Sequence, residues 1–108
     1  MGIIRGTTPT LTFHVKNENI DLNDIAEVWI TFKTKPGIAL KEKTYDIDDV
    51  TIDTVENNIL LNLSQEDTLY FENASLLIQL RVRLNNDLAY ASAIMDTQLG
   101  QILKDGVI

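Results

Sequence analysis

Apolar and polar residues alternate with a period of two along much of this sequence. The pattern is clearest over residues 76–84, where large aliphatic side chains occupy every second position and Gln79, Arg81 and Arg83 lie between them. Successive side chains of a β-strand point to opposite faces of the sheet, so this pattern predicts a half-buried strand. Five aliphatic side chains share one face, and each contributes about 1.5–3 kcal/mol on full burial. This segment is therefore the principal core strand that the sequence predicts.

Similar alternation predicts the other strands. A strand over residues 25–34 has an apolar face that runs from Ala26 to Phe32, and it places Trp29 on the polar face. Turn signals rich in Asn, Asp, Pro and Gly separate the predicted strands. The remaining strands are predicted over residues 10–15, 38–44, 50–55, 57–63 and 88–94, and the tail over 95–108 is predicted to extend the last of them.

The strand predicted over residues 38–44 follows a turn at Pro36 and Gly37. Its phase places Lys41 and Lys43 on the outward face. The alternation then shifts at Tyr45, which indicates a bulge or a break in the strand.

A polar Ser-Gln-Glu-Asp corner connects two of the predicted strands. Ser64 followed three residues later by Asp67 resembles a capping box, so we expect one short helical turn near residues 64–70. Residues 63–70 are also similar to the corner between strands E and F of immunoglobulin variable domains, although the cysteine that follows there is missing here. With the strand spacing, this corner predicts an all-β fold, an antiparallel immunoglobulin-like β-sandwich of about seven strands.

Length and composition narrow the class of protein. The 108 residues are predicted to form a single β-sandwich domain over 1–108. The chain has no cysteine, so disulfides and thiolate metal sites are excluded. No apolar run approaches the roughly 20 residues that a membrane-spanning helix needs. The net charge is −7, and residues 44–67 contain seven acids and no base, so we expect neither nucleic acid nor a membrane as a partner.

The residues that carry chemistry do not form a recognisable catalytic or metal motif. His14 is the one histidine, and it is expected to face solvent beside threonines; no serine lies in a Gly-x-Ser-x-Gly motif. Paired carboxylates for glycoside hydrolysis could come from the acidic stretch, but acids in β-turns are usually solvated. The run from Asp46 to Asp49 resembles a cation-binding loop but lacks its third ligand, glycine and bidentate glutamate. We therefore expect no enzyme activity, no metal and no cofactor.

Surface interaction is the function class that the residues leave open. Trp29 lies on the polar face of its strand, and Arg81 and Arg83 lie on the polar face of the core strand. Tryptophan and arginine together have the composition of an interface hot spot. Val107 and Ile108 form an apolar ending that keeps an assembly role open, so these five residues are the candidate interaction surface. Alternatively, the N-terminal arm or the C-terminal tail covers Trp29.

A family resemblance narrows this class further. Its features are Ile-Ile-Arg-Gly-Thr-Thr-Pro-Thr at 3–10, Glu-Val-Trp-Ile-Thr-Phe at 27–32, the corner at 63–71, Ile-Gln-Leu-Arg-Val at 78–82 and Ile-Leu-Lys-Asp-Gly-Val-Ile at 102–108. With these features the chain resembles a small, uncharacterised family of phage and prophage proteins from Gram-positive bacteria. The resemblance implies a virion structural protein of the tail, baseplate or head–tail region.

The resemblance also implies a place and a set of partners. Such a protein is made in the cytoplasm of the bacterial host and then joins the virion, where its partners are other phage structural proteins or further copies of itself. The alternative function is an immunoglobulin-like binding module for carbohydrate or a host surface, which predicts aromatic residues clustered on an exposed face. The resemblance assigns no functional residues.

Overall fold

A computed structural model describes residues 2–34, 41–71 and 75–108. Within these residues the chain forms nine strands and one short helix, α1 (Gln65–Tyr70), which lies between the sixth and seventh strands. The strands, in chain order, are β1 (Gly2–Ile4), β2 (Thr10–His14), β3 (Ile25–Thr34), β4 (Glu42–Tyr45), β5 (Val50–Asp53), β6 (Asn58–Asn62), β7 (Ser75–Leu84), β8 (Ala89–Ala91) and β9 (Met95–Gly100). Short 3₁₀ turns at Leu22–Asp24 and Ile47–Asp49 precede β3 and β5.

The strands form two sheets. The large sheet has six strands in the order β1-β9-β7-β3-β4, with β8 also paired to β7; the small sheet has the order β2-β6-β5. All pairs are antiparallel except β1 with β9, which run parallel. The inner faces of both sheets contribute to one buried cluster, so the predicted all-β sandwich is confirmed. The purely antiparallel arrangement is wrong at β1, and nine strands replace the predicted seven.

The central strands form the core as the alternation predicted. Every second residue of β7, from Leu76 to Leu84, is buried, and so are Val28, Ile30 and Phe32 of β3. The small sheet covers these residues with side chains that are equally buried, namely Leu11 of β2 and Ile59 and Leu61 of β6. Within the described residues, no helix is both long and apolar enough to cross a membrane.

The corner between β6 and β7 also has the predicted geometry. The side chain of Ser64 accepts a hydrogen bond from the backbone N–H of Asp67 at 3.1 Å, and Asp67 Oδ2 accepts one from the backbone N–H of Ser64 at 2.8 Å. This reciprocal pair is a capping box, and it satisfies donors that the first turn of α1 cannot satisfy internally. Phe71 follows the helix and is buried against the ring of Phe32.

The prediction that Lys41 and Lys43 face outward from the third strand is wrong. Lys43 of β4 pairs with Phe32 and Tyr45 pairs with Ile30, without any shift of register between them. Directly paired residues share a face, so Lys43 lies on the inner side with Tyr45, and the alternation does not break at Tyr45. Lys41 has the same parity and also lies on this side. The predicted residues 38–40 and the Pro36-Gly37 turn lie outside the described residues.

The strand predicted over residues 88–94 is divided by a bulge. β8 and β9 lie end to end along the same edge of β7, but Arg81 pairs with Ala91 whereas Ile78 pairs with Met95. Three steps along β7 therefore correspond to four steps along the other strand, and the extra residue lies between Ser92 and Met95. The predicted extension into the tail exists as β9, and the chain is irregular from residue 101.

Candidate interaction surface

The outer face of the large sheet holds three of the five candidate residues. The small sheet packs on the inner face, so the alternate side chains of β3 and β7 point away from the core. In this outer row Glu27 pairs with Arg83, Trp29 pairs with Arg81 and Thr31 pairs with Gln79. We call these six residues the Trp29 face. It lies on the two longest strands of the domain, which fix its geometry.

Trp29 is the exposed centre of this face. The guanidinium carbon of Arg81 lies 5.5 Å from the centre of the indole ring, within the range of a cation–π interaction. Even so, 47% of Trp29 remains exposed. Within the described residues neither the N-terminal strand nor the end of the tail lies over it, because β1 is at the far edge of the large sheet beside β9 and Ile108 is hydrogen-bonded to Gln65 of α1.

Two shallow depressions lie on either side of Trp29. The first is lined by Trp29, by Glu27, Arg81 and Arg83 of the same face and by Ala89 of β8. The second continues along the sheet past Thr31 and Gln79 to Leu77 and the exposed Ile94. An exposed apolar centre with a polar, charged rim is the arrangement found at protein–protein interfaces.

Val107 and Ile108 do not belong to the Trp29 face. The backbone N–H of Ile108 donates to Gln65 Oε1 at 2.9 Å, and Gln65 Nε2 donates to the carbonyl oxygen of Ile108 at 3.3 Å. These bonds hold the backbone against α1, while the side chains of Val107 and Ile108 stay exposed. The predicted surface is therefore divided between two separate places in the fold.

Arg5 is a buried residue whose role the sequence did not indicate. Its side chain is only 7% exposed, and its Nε donates to the carbonyl oxygen of Phe71 at 2.9 Å while its Nη2 donates to that of Leu69 at 3.2 Å. Its Nη1 contacts the carboxylate of Asp105 at 2.6 Å. A cation at the C-terminal end of a helix satisfies carbonyl groups that have no partner inside the helix. Arg5 thus joins the N-terminal arm, the corner and the tail.

The strongest electrostatic perturbation lies where α1 meets β4. Burial by itself raises the pKa of Asp67, but hydrogen bonds from Lys43, Ser64 and Tyr45 outweigh this effect and lower it to about 2. Burial, together with the hydrogen bond to Asp67, raises the pKa of Tyr45 well above its ordinary value. Lys43 Nζ lies 2.5 Å from Asp67 Oδ1, so the carboxylate is occupied by its cap and its ion pair. This cluster anchors the corner to the edge strand.

The other titratable candidates also have structural partners. Nδ1 of the exposed His14 lies 2.8 Å from Asn58 Oδ1 on the neighbouring strand. In the acidic loop, Asp46 Oδ1 accepts from the backbone N–H of Asp48 and Asp49 Oδ2 accepts from the backbone N–H of Asp46, so these carboxylates cap a 3₁₀ turn. In the part of the chain that the structure describes, no group of three His, Cys, Asp or Glu side chains is placed to hold a metal ion.

The fold and this surface define a two-sheet β-domain with an exposed tryptophan on the outer face of its large sheet. Comparison with known proteins finds no family model that matches the chain and no curated protein with significant similarity to it.

Proposed function

We propose that this protein is a non-enzymatic structural component that acts through protein–protein contacts made by the Trp29 face. The observation that carries the proposal is a tryptophan on the large sheet that is 47% exposed and has the guanidinium of Arg81 over its ring. The family resemblance in the sequence supports a phage or prophage particle as the assembly, in its tail, baseplate or head–tail region. The partners are then other structural proteins of that particle or further copies of this chain.

The geometry of the Trp29 face favours binding because it is fixed before a partner arrives. Trp29 and Arg81 are directly paired on the two central strands, and the cation–π contact between them already restricts both side chains, so less side-chain freedom is lost on association. A guanidinium held over the indole by a cation–π interaction keeps N–H donors that can bond carbonyl or carboxylate groups of a partner. Burial of the exposed indole would add the apolar contribution that is typical of hot spots.

The alternative function, binding of carbohydrate or a host surface, is less well supported by the same face. It predicts several exposed aromatic rings together, and all seven aromatic residues of the chain lie in the described residues. Of these only Trp29 and Tyr70 are largely exposed, and Tyr70 belongs to α1, where its ring packs against Phe71 and lies below Lys41. The Trp29 face therefore offers one aromatic ring, and a protein partner fits it better.

The proposal is tested by co-expressing the protein with the product of each neighbouring gene and measuring complex formation. Trp29 is the only tryptophan, so its fluorescence reports directly on this face. Binding is expected to shift the emission to shorter wavelength and to reduce quenching by acrylamide. Trp29→Ala and Arg81→Ala are expected to weaken the complex, Trp29→Ala by about 30-fold or more.

Val55→Ala is the matched control, because Val55 is a highly exposed apolar residue in the turn that joins the two strands β5 and β6 of the small sheet. It is expected to leave the affinity unchanged. A complex that forms equally well with Trp29→Ala, or a tryptophan that stays fully quenchable in the complex, would contradict the proposed role of this face. Specific binding of an oligosaccharide to the Trp29 face would favour the alternative function.

A further inference from the structure

The strand β8 is an edge of the large sheet that carries no charged residue. It pairs with β7 on one side, and no strand in the described residues pairs with its other side. Residues 88–95 contain no charged residue and no proline, whereas the edge strand β4 carries Glu42 and Lys43. Natural proteins protect such edges with charges, proline, short strands, β-bulges or a covering element, because an open edge can pair with another chain. β8 is short, with three residues, and a bulge follows it, but no charge or proline blocks it, so its outward backbone groups can accept a partner strand.

The backbone groups available on this edge follow from the hydrogen bonds to β7. The N–H of Leu84 donates to the carbonyl oxygen of Leu88 at 2.9 Å, and the N–H of Ser92 donates to that of Leu80 at 2.8 Å. Bonded and non-bonded pairs alternate along an antiparallel ladder, so Tyr90 is also bonded to β7. The N–H and C=O groups of Ala89 and Ala91 consequently point away from the sheet.

Exposed apolar side chains surround these groups. Leu88 precedes β8 and is 52% exposed, and Ile94 and Met95 follow it and are 63% and 36% exposed. The acidic stretch over residues 44–67 lies elsewhere, in β5, β6 and the segments that flank them. The edge is therefore apolar and free of charge in a protein whose net charge is −7.

We infer that β8 pairs in antiparallel register with β8 of a second copy of this chain, about a twofold axis at Tyr90. In this register Ala89 lies opposite Ala91 of the second copy, and the two outward-pointing N–H and C=O groups of each residue form four hydrogen bonds across the interface. Every one of these groups gains a partner, and no two like charges lie opposite each other. This self-complementarity is what a twofold interface requires. The inference rests on the proposed function in protein–protein assembly and names one of its partners.

The side chain of Tyr90 supports the same register. Tyr90 pairs with the buried Val82, so it lies on the inner side of the sheet, where it is partly buried against the core. In the dimer the two Tyr90 residues form a non-hydrogen-bonded pair, the closest type of pair in an antiparallel ladder. The two rings would cover the groove that now lies between β8 and the end of β2, which is lined by Tyr90, Leu80 and Val15.

Self-association is measured by light scattering over a range of protein concentrations. The expected result is a mass that rises with concentration from 12.2 kDa to twice that value. Amide hydrogen exchange gives the register: Ala89 and Ala91 are expected to become protected as the concentration rises, while Tyr90 is protected at every concentration. A protein that stays monomeric at the highest soluble concentration would overturn the inference, as would a dimer without new protection at Ala89 and Ala91.

Two variants of Ala91 and one control variant test whether self-association depends on the β8 edge. Ala91→Pro removes an N–H that points away from β7, so it leaves the ladder inside the domain intact. It removes two symmetry-related bonds, and self-association is expected to weaken about 10- to 100-fold. Ala91→Lys places a charge on the edge and is expected to have a similar effect. Thr51→Lys adds the same charge to the exposed edge strand β5 and is expected to leave the dimer unchanged.

The outcomes distinguish this inference from the proposed function. Trp29→Ala is expected to dimerise like the unchanged protein, because Trp29 does not lie on the β8 edge. A dimer that persists in folded Ala91→Pro and Ala91→Lys would overturn the β8 interface. Circular dichroism establishes whether each variant is folded. If the dimer fails while Trp29→Ala still loses a co-expressed partner, the proposed function stands without the second copy.

Discussion

Replacement of Arg5 by methionine tests whether one buried cation holds the N-terminal arm, the corner and the tail together. Methionine keeps an unbranched apolar stem but has no hydrogen-bond donor. The change therefore removes the bonds to the carbonyl oxygens of Phe71 and Leu69, which are 2.9 and 3.2 Å long, and the ion pair with Asp105. These carbonyl groups end α1, where the helix itself provides no donor.

The magnitude follows from the burial of each contact. A hydrogen bond from a charged donor contributes about 1.5–3 kcal/mol, but the longer bond to Leu69 is only partly buried. The carboxylate of Asp105 is 68% exposed, so its ion pair contributes about 0–1 kcal/mol. We expect Arg5→Met to lower the free energy of unfolding by about 2–4 kcal/mol, and Asp105→Ala to lower it by about 1 kcal/mol or less.

Urea unfolding followed by circular dichroism measures both variants, and an unchanged m-value shows that the two folded states are comparable. Amide exchange adds a local readout, because Arg5→Met is expected to increase exchange in α1 before the central strands open. Arg5→Lys keeps the charge without the planar set of donors and is expected to recover only part of the loss. A loss below about 1 kcal/mol for Arg5→Met, with unchanged exchange in α1, would refute this account of Arg5.

Two further predictions concern the corner and a turn. Burial raises the pKa of Asp67, but hydrogen bonds from Lys43 and Ser64 outweigh it and lower the pKa from 3.8 to about 2. The unfolded chain therefore takes up this proton first as the pH falls, and stability is expected to decrease by about 1–2 kcal/mol between about pH 4 and about pH 2. Asp67→Asn should remove this part of a pH series of unfolding curves; an unchanged series would contradict the assignment. Asn57 has a φ of 56°, in the left-handed region that alanine disfavours and glycine tolerates. Asn57→Ala is therefore expected to lower the free energy of unfolding, measured by urea unfolding, by about 1 kcal/mol, and Asn57→Gly to leave it nearly unchanged. The opposite order would exclude a conformational cause.

The central strands could be predicted because their pattern is long and their burial is one-sided. β7 spans ten residues, and its alternation extends over the whole strand, so a slip by one residue would place five apolar side chains in solvent. The capping box at Ser64 and Asp67 was predictable for a different reason, since it depends only on residues three apart in the chain. Strict alternation and hydrogen bonds between residues close in sequence are therefore the two features that the sequence predicts correctly here.

The facing of β4 could not be predicted because its inner positions are not apolar throughout. Lys43 is opposite Phe32, yet its ammonium group reaches Asp67 and lies 5.2 Å from the ring centre of Tyr45. A lysine that packs its stem beside the core and pairs its charge with a carboxylate looks like a surface residue in the sequence. The partner that explains its position lies 24 residues away, beyond the reach of a periodicity argument.

The strand β1 and Arg5 were missed for related reasons. β1 has three residues and pairs in parallel with β9 near the other end of the chain, so alternation has too few positions to be read. Arg5 follows β1 directly and its burial depends on Phe71 and Asp105, which belong to distant segments. These segments are far apart in the sequence, and only the fold shows that they meet at one side chain.

The residues of the candidate surface could be predicted from the sequence, but their arrangement depends on how the strands pair. Residue types alone selected Trp29, Arg81 and Arg83, and strand alternation placed each on a polar face. That Trp29 lies directly opposite Arg81 depends on β3 and β7 being neighbours in this register. Val107 and Ile108 were included because they are apolar. The fold places them away from Trp29, because Gln65 binds the backbone of Ile108.

The Trp29 face and the β8 edge have a geometric consequence when they are considered together. The local twofold axis of an antiparallel strand pair is perpendicular to the sheet, so a β8 dimer places both Trp29 faces on the same side of one continuous sheet. A partner with two equivalent sites would then bind the second face at a high effective concentration, without any additional contact. Ala91→Pro is therefore expected to weaken binding to such a multivalent partner while leaving binding to a single isolated site unchanged. Equal losses for both ligands would indicate that β8 contacts the partner directly rather than joining two copies of this chain.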